Sequence, residues 1–288
     1  MCRHACPVAE VTGRESLIPQ AKMEAVGRVH KGVVAYSVES TESMWACTGC
    51  RHCTDYCVHG VEPGTMLFAA RAEAQKRGVG HPTLVRYPER FRARDVRLAE
   101  KARATFPRER FAEEGQVGLW PGCDAVDRSP KDVFAQLALC DAASGDSVRL
   151  VSAERACGGY PLWAAGYPEA FVWQATRVAQ ELSRFHTVVM SCSACIYALR
   201  RLYPAVGVSL AAKIVHTSEY FEHLELPAWA GGGEGAGGAS AAGNARESVY
   251  FHDPCYLARY ENIIAEPRRL LAKVADVREL AWHGRDTE

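Results

Sequence analysis

Apolar residues recur at helical spacing twice within the first eighty positions. Leu17, Ile18, Ala21, Ala25, Val26, Val29 and Val33 form one stripe, with Pro19 near the start of the helix it predicts. Pro63 opens a second helix, with Met66, Leu67, Ala70 and Ala74 on one face, Arg71, Glu73 and Lys76 largely opposite, and Gly78 and Gly80 at its end. Core packing is the ordinary use of such stripes. From Val117 the period changes. VGLW (117–120), VRLVS (148–152) and TVVMS (187–191) read as short strands, and residues 130–143 and 168–184 as helices between and beside them. Strand–helix alternation predicts a parallel sheet with covering helices, whose ligand sites lie beyond the carboxyl ends of the strands.

Between the two patterns, residues 81–115 carry Arg86, Arg90, Arg92, Arg94, Arg97, Arg103, Arg108 and Arg110, interspersed with Glu89, Asp95, Glu100 and Glu109. Mixed signs predict a solvated helix, with a docking face for a partner subunit as the sharper alternative. Residues 230–246 are a Gly/Ala-rich linker without the means to build a core. Beyond it VYFHDPC (249–255) echoes VGLWPGC (117–123), EPRRLLAKV (266–274) answers SPKDVFAQLAL (129–139), and VRELA (277–281) answers VRLVS. By that register the chain stops inside its second repeat.

The chemistry lies in the twelve cysteines. CTGCRHCTDYC (47–57) spaces Cys47, Cys50, Cys53 and Cys57 as Cys-x-x-Cys-x-x-Cys-x-x-x-Cys. Three thiolates so spaced curl round one corner of an iron–sulfur cube, and the fourth normally ligates a second cluster. Zinc sites usually pair two separated Cys-x-x-Cys knuckles, a poorer fit that leaves a zinc-stapled interaction module as an alternative. Cys2-x-x-x-Cys6-Pro7 is the back half of the same pattern. Crossed ligation then groups Cys6 with Cys47, Cys50 and Cys53, and leaves Cys2 and Cys57 as half of a second site. His4, His52 and His59 read as neighbours of these cysteines. Further on, Cys123, Cys157, Cys192 and Cys195 all stand at predicted strand ends. Cys195, one turn into a helix, is expected to have its thiolate stabilised by helix amides. Cys140 sits on an apolar helix face with Phe134, Leu137 and Leu139 and reads as core.

Lys plus Arg and Asp plus Glu balance at 34 each, which gives no global argument for nucleic acid. There is no run of about 18 apolar residues and no apolar signal-peptide core near Met1. Twelve cysteines without an export signal point to thiolates in a reducing compartment, hence a cytoplasmic chain or one peripheral on the inner face of a membrane. No GxGxxG fingerprint follows a strand, so flavin or nicotinamide is expected on a partner.

ACGGYPLWAAG (156–166), SCSAC (191–195) and HDPCYLARY (252–260) resemble the cysteine-rich CCG domain of heterodisulfide reductase and of the iron–sulfur subunits of glycolate oxidase, lactate-utilisation and anaerobic glycerol-3-phosphate dehydrogenase enzymes. The helical first part resembles the two-cluster ferredoxin domain that precedes CCG repeats. The implied fold class is α plus α/β. It comprises a helical ferredoxin-like [4Fe-4S] domain (1–80), the Arg-rich connector (81–115), a first CCG domain (116–229), the linker (230–246) and an incomplete second CCG repeat (247–288). The resemblance implies electron transfer from a partner dehydrogenase or flavoprotein towards quinone, through a membrane subunit, or towards a disulfide. Cys123, Cys157, Cys192 and Cys195 match its motif, and Cys255 matches the opening of the second. A disulfide reductase acting at the CCG cluster is the alternative, against which stands Ala156, where the family has the first cysteine of an adjacent pair. Half-motifs at both ends are what in-frame selenocysteine codons, or misannotation, would produce.

Overall fold

The computed structural model describes residues 4–143, 148–151, 154–224 and 246–287. Cys2 and most of the 230–246 linker therefore lie outside the described residues. Five helices come first: α1 (Pro7–Thr12), α2 (Pro19–His30), α3 (Val38–Trp45), α4 (His52–Asp55) and α5 (Pro63–Lys76). Proline stands in the first turn of α1, α2 and α5, where its missing N–H has no intrahelical partner to lose. Val26, Met44, Leu67, Ala70 and Ala74 close a small core between α2, α3 and α5. Helix α2 ends at His30, and Val33 is exposed. The face of α5 also differs from its stripe: Met66 is 52% exposed, whereas Arg71, expected on the polar side, is 5% exposed. Helix α3 left little apolar signal; the reciprocal capping box of Ser37 and Ser40 starts it.

The arginine-rich stretch forms α6 (Tyr87–Thr105). It is not solvated all round, because Phe91, Asp95, Leu98, Ala99 and Ala102 are buried. Then follow β1 (Phe111–Ala112), β2 (Gly115–Leu119), α7 (Cys123–Arg128), α8 (Pro130–Ala143), β3 (Arg149–Val151), α9 (Tyr160–Ala164), α10 (Pro168–Leu182), β4 (Phe185–Met190), α11 (Ser193–Tyr197), α12 (Tyr203–Ala205), β5 (Lys213–His216) and α13 (Thr217–Glu222). The five strands form one sheet in the order β1-β3-β2-β4-β5, parallel at every pairing. One face packs Val188, Met190 and Ile214 against Phe171, Val178 and Leu182; the other packs Leu119, Leu150, Val189 and Val215 against Val133, Leu137 and Cys140. Both faces are covered, as an all-parallel sheet requires. The α plus α/β fold class stands, with β1 and β5 added to the three strands legible in sequence.

The strand order places β3 and β4 on either side of β2, so the carboxyl ends of three adjacent strands open on one crevice. The internal echo is also structural. β6 (Ser248–Phe251) and β7 (Asp276–Glu279) pair in parallel around α14 (Ala265–Leu271), as β2 and β3 do. Asp253 fixes this unit: it receives two 2.7 Å bonds from Arg268 and one of 2.6 Å from the Gly284 amide.

Arg71 ties the helical part to the sheet part. Its guanidinium donates to Met44 O (3.1 and 2.7 Å), Cys47 O (2.5 Å) and Ala164 O (2.9 Å). Beside it Gly166, at φ +80, runs so close to α5 that a Cβ would meet the Arg71 carbonyl at 2.7 Å.

Candidate functional site

Two groups of thiols form on different scaffolds, and no disulfide joins any described cysteine. The first group gathers on the loop between α3 and α4. Gly49 (φ 71) and Arg51 (φ 68) both turn left-handed there, which coils residues 47–53 tightly. A side chain at 49 would stand 2.7 Å from Phe68 and 2.9 Å from the Tyr256 hydroxyl, so this turn admits only glycine. Cys47 Sγ accepts the Gly49 amide at 3.4 Å. Burial pushes the Cys47 thiol up, opposed by that amide and by Arg71 and Lys22, while Cys50 is close enough to add to the rise. Cys53 lies on α4.

Cys6 comes to this loop from α1. It is buried with Ala9 and Leu17 against Ala46, one residue before Cys47. Its Sγ lies 3.5 Å from Leu17 O and 3.5 Å from Lys22 Nζ. Cys57 lies further along, where the Val61, His59 and Gly60 amides pull its thiol down. Its expected companion Cys2 is outside the described residues. His4 and His59 are exposed, and His52 is buried edge-on to Tyr56 with ring centroids 4.7 Å apart.

The second group occupies the crevice. Cys123 follows β2, Cys157 follows β3, and Cys192 and Cys195 follow β4. The Cys157 thiol donates to Cys123, and with help from Arg94 it draws Cys123 down to about 6. Cys157 is pushed up by the same bond and by burial. Cys192 and Cys195 repeat the arrangement: the Cys195 thiol donates to Cys192, lowering Cys192 and raising Cys195. The helix-start amide expected to favour Cys195 serves Cys192 instead, as Cys195 N–H donates to Cys192 Sγ at 3.4 Å. The two pairs lie near one another: a Cβ on Gly122, beside Cys123, would stand 3.5 Å from the Cys192 Cβ. Cys140 lies apart on α8, fully buried and pushed up to about 11 by burial.

The loop that presents Cys157 is anchored from α6. Asp95 accepts the Ala156 amide at 2.9 Å and Gln174 Nε2 at 2.8 Å, and Gln174 donates in turn to Cys157 O at 2.8 Å. At the position where the resembled family has a cysteine, Ala156 thus supplies an anchored backbone and no sulfur.

Cys255 follows β6 of the second repeat. It heads the helical turn Tyr256–Glu261, and the thiol that it senses is Cys50. This turn docks the second repeat on the cysteine loop: Tyr256 donates to Thr48 O (3.3 Å), Tyr260 to Gly49 O (2.7 Å) and Arg259 to Cys50 O (3.1 Å). Tyr256 and Tyr260 stack at 5.0 Å, and Tyr197, two residues past Cys195, lies 5.4 and 4.3 Å from them. Tyr160, three residues past Cys157, is hydrogen-bonded to the Tyr256 hydroxyl. Four half-buried tyrosines therefore join the segment that carries the first group to the segments that carry the second.

Among the described residues, no three His, Cys, Asp or Glu side chains are set to clasp a single metal ion. The donors fit a cluster by their chemistry: thiols only, in two half-buried to buried groups, each with a cation against one sulfur (Lys22 on Cys6, Arg94 on Cys123). Iron–sulfur clusters are held by cysteine thiolates and tuned by such contacts. The sequence pattern marked the cysteines; it gave no sign of Lys22, Arg94, Asp95 or Gln174, which act across long separations. The YLARY spacing of Tyr256 and Tyr260 was visible but carried no meaning without Tyr160 and Tyr197 beside it.

Residues 1–61 match the 4Fe-4S dicluster domain family. Over longer stretches the chain is similar to a fumarate reductase (CoM/CoB) subunit of Methanothermobacter marburgensis, 23% identical over 239 residues that cover 81% of this chain and 45% of that protein. It is also similar to a dihydromethanophenazine:CoB–CoM heterodisulfide reductase subunit of Methanosarcina acetivorans, 23% identical over 83% of this chain and 59% of that one. A third relative is named "Probable membrane-anchored ferredoxin" in Chromohalobacter salexigens, 26% identical over 86% of this chain and 38% of its own. The chain spans about half the length of these relatives. No solved structure matches it significantly. The domain match and the relatives support an iron–sulfur oxidoreductase subunit of this type.

Proposed function

We propose that this iron–sulfur subunit relays single electrons between two centres, one held by Cys6, Cys47, Cys50 and Cys53 and one by Cys123, Cys157, Cys192 and Cys195. A [4Fe-4S] cluster, when bound, supplies the one-electron couple. The observation that supports it is a block of four tyrosines that joins the two cysteine-bearing segments: Tyr256 and Tyr260 are hydrogen-bonded to the backbone of the Cys47–Cys50 loop, and Tyr160 and Tyr197, which follow Cys157 and Cys195 in the chain, pack against them. The Arg71 bridge and the docked second repeat hold both sides of that block in place. Cys57, with Cys2, supplies half of the ligands of a further centre.

The donor is a flavoprotein or dehydrogenase subunit. The acceptor is a quinone-reducing membrane partner or a disulfide, the latter in keeping with a relative named for heterodisulfide reduction. No helix among the described residues is long and apolar enough to cross a membrane. The test is anaerobic purification of the full chain with iron and acid-labile sulfide counted. Cys53→Ser and Cys195→Ser should each remove iron and abolish a different EPR signal. A colourless protein, or one carrying zinc without sulfide, overturns the proposal.

A further inference from the structure

Lys22 is the least accountable side chain in the helical part. It lies on α2 among buried Pro19, Val26 and Val29 and is itself 2% exposed. An ammonium taken out of water is costly unless an anion faces it. Among the described residues no carboxylate pairs with it: its ammonium donates to Cys6 Sγ at 3.5 Å, and its charge reaches Cys47. A neutral thiol is a poor answer to a buried positive charge. A thiolate-ligated iron–sulfur centre is a good one, being net negative in both oxidation states and one unit more negative when reduced.

We propose that Lys22 is a built-in counter-ion of the N-terminal centre, a positioning residue that favours its reduced state and so raises its reduction potential. This rests on Cys6, Cys47, Cys50 and Cys53 being cluster ligands. Arg94 stands against Cys123 in the second group, but its side chain is 40% exposed, so its charge is better screened. The two centres thus receive unequal help, and the buried lysine acts on the first alone. Net charge and hydrogen bonds to sulfur are established levers on cluster potential.

The test uses the full chain, prepared anaerobically as wild type, Lys22→Met, Lys22→Gln and Lys22→Arg. Iron is counted, and the EPR signal that Cys53→Ser abolishes is followed in a redox titration. Lys22→Met should shift the reduction equilibrium about tenfold towards the oxidised form, a midpoint lower by about 59 mV for a one-electron couple. Lys22→Arg should stay near wild type, and the signal that Cys195→Ser abolishes should not move. Loss of iron in Met and Gln but not Arg also supports a required charge. An unmoved midpoint at full iron content overturns the inference, as does an equal drop or equal iron loss in Lys22→Arg, which would mark a packing role. If Cys53→Ser changes neither iron nor spectrum, the ligand assignment itself fails, independently of Lys22.

Discussion

Arg71→Met removes the bridge between the cysteine loop and the sheet domain while keeping most of the side-chain volume. Wild-type Arg71 is 5% exposed and bonds three carbonyls, on Met44, Cys47 and Ala164. Met44 O keeps the Cys47 amide at 3.4 Å, so the Cys47 and Ala164 carbonyls are left short. Each such orphan costs ~1–3 kcal/mol. Guanidinium contacts with the Phe68 ring (4.6 Å) and the Trp45 ring (5.3 Å) are lost as well. Such contacts are worth ~1 kcal/mol. Relief of the buried charge's desolvation offsets part of this, leaving a net loss of about 3 kcal/mol. At ~2–4 °C per kcal/mol for a chain of this size, the melting temperature should fall by roughly 6–12 °C. Thermal unfolding followed by circular dichroism under anaerobic conditions measures it, with iron content expected to fall because Cys47 loses its anchor. Arg77→Met is the control: Arg77 is half exposed, pairs with Glu73 in the preceding turn and lies 4.4 Å over the Tyr36 ring, interactions each worth under about 1 kcal/mol at such exposure. Arg71→Met melting within about 2 °C of wild type would refute the reasoning, since burial and geometry would then carry no energy.

Gly166→Ala should destabilise by roughly 2 kcal/mol or more in urea unfolding, because alanine there meets both a positive φ and the α5 backbone. Asp95→Ala should release the Cys157 loop and abolish the Cys195-dependent EPR signal, while the Cys53-dependent signal stays. Burial pushes the Glu181 carboxyl from 4.5 up to about 7, so the fold prefers it protonated, and stability falls as pH rises through that interval. Glu181→Gln should therefore be roughly 2 kcal/mol more stable than wild type at pH 8 and no more stable at pH 4, as read from urea titrations at the two pH values. His216, buried with its ring nitrogens on Ser218 Oγ and Ser191 O, is pushed down by burial. It should add an acid-side loss of stability that sets in as pH falls below the usual histidine range and is absent in His216→Gln.

Much of this was legible in the chain because it was local. Periods of 3.6 and 2 marked α2, α5, α8, α10 and three strands, and the cysteine spacings marked both thiol groups. The echo of 117–123 at 249–255 foretold the parallel pairing of β6 with β7. What escaped depended on tertiary neighbours. Arg71 reads as a polar-face residue until Met44, Cys47 and Ala164 present carbonyls to it. Arg94 and Asp95 lie in a charge-rich stretch that looks solvated, yet one reaches Cys123 and the other holds Ala156. Cys255 matches the opening of the second motif in sequence, but its closeness to Cys50 depends on the docking of its turn on residues 48–50, which no local pattern shows.

On the proposed assignment the two redox centres lie on the two cysteine-bearing segments that the tyrosine block joins. EPR of the fully reduced full chain, compared with Cys53→Ser and Cys195→Ser, tests it most directly. Two paramagnets on either side of that block should broaden each other, so the wild-type spectrum should differ from the sum of the two single-centre variants. A wild-type spectrum equal to that sum, or one with only a single signal, would contradict the account.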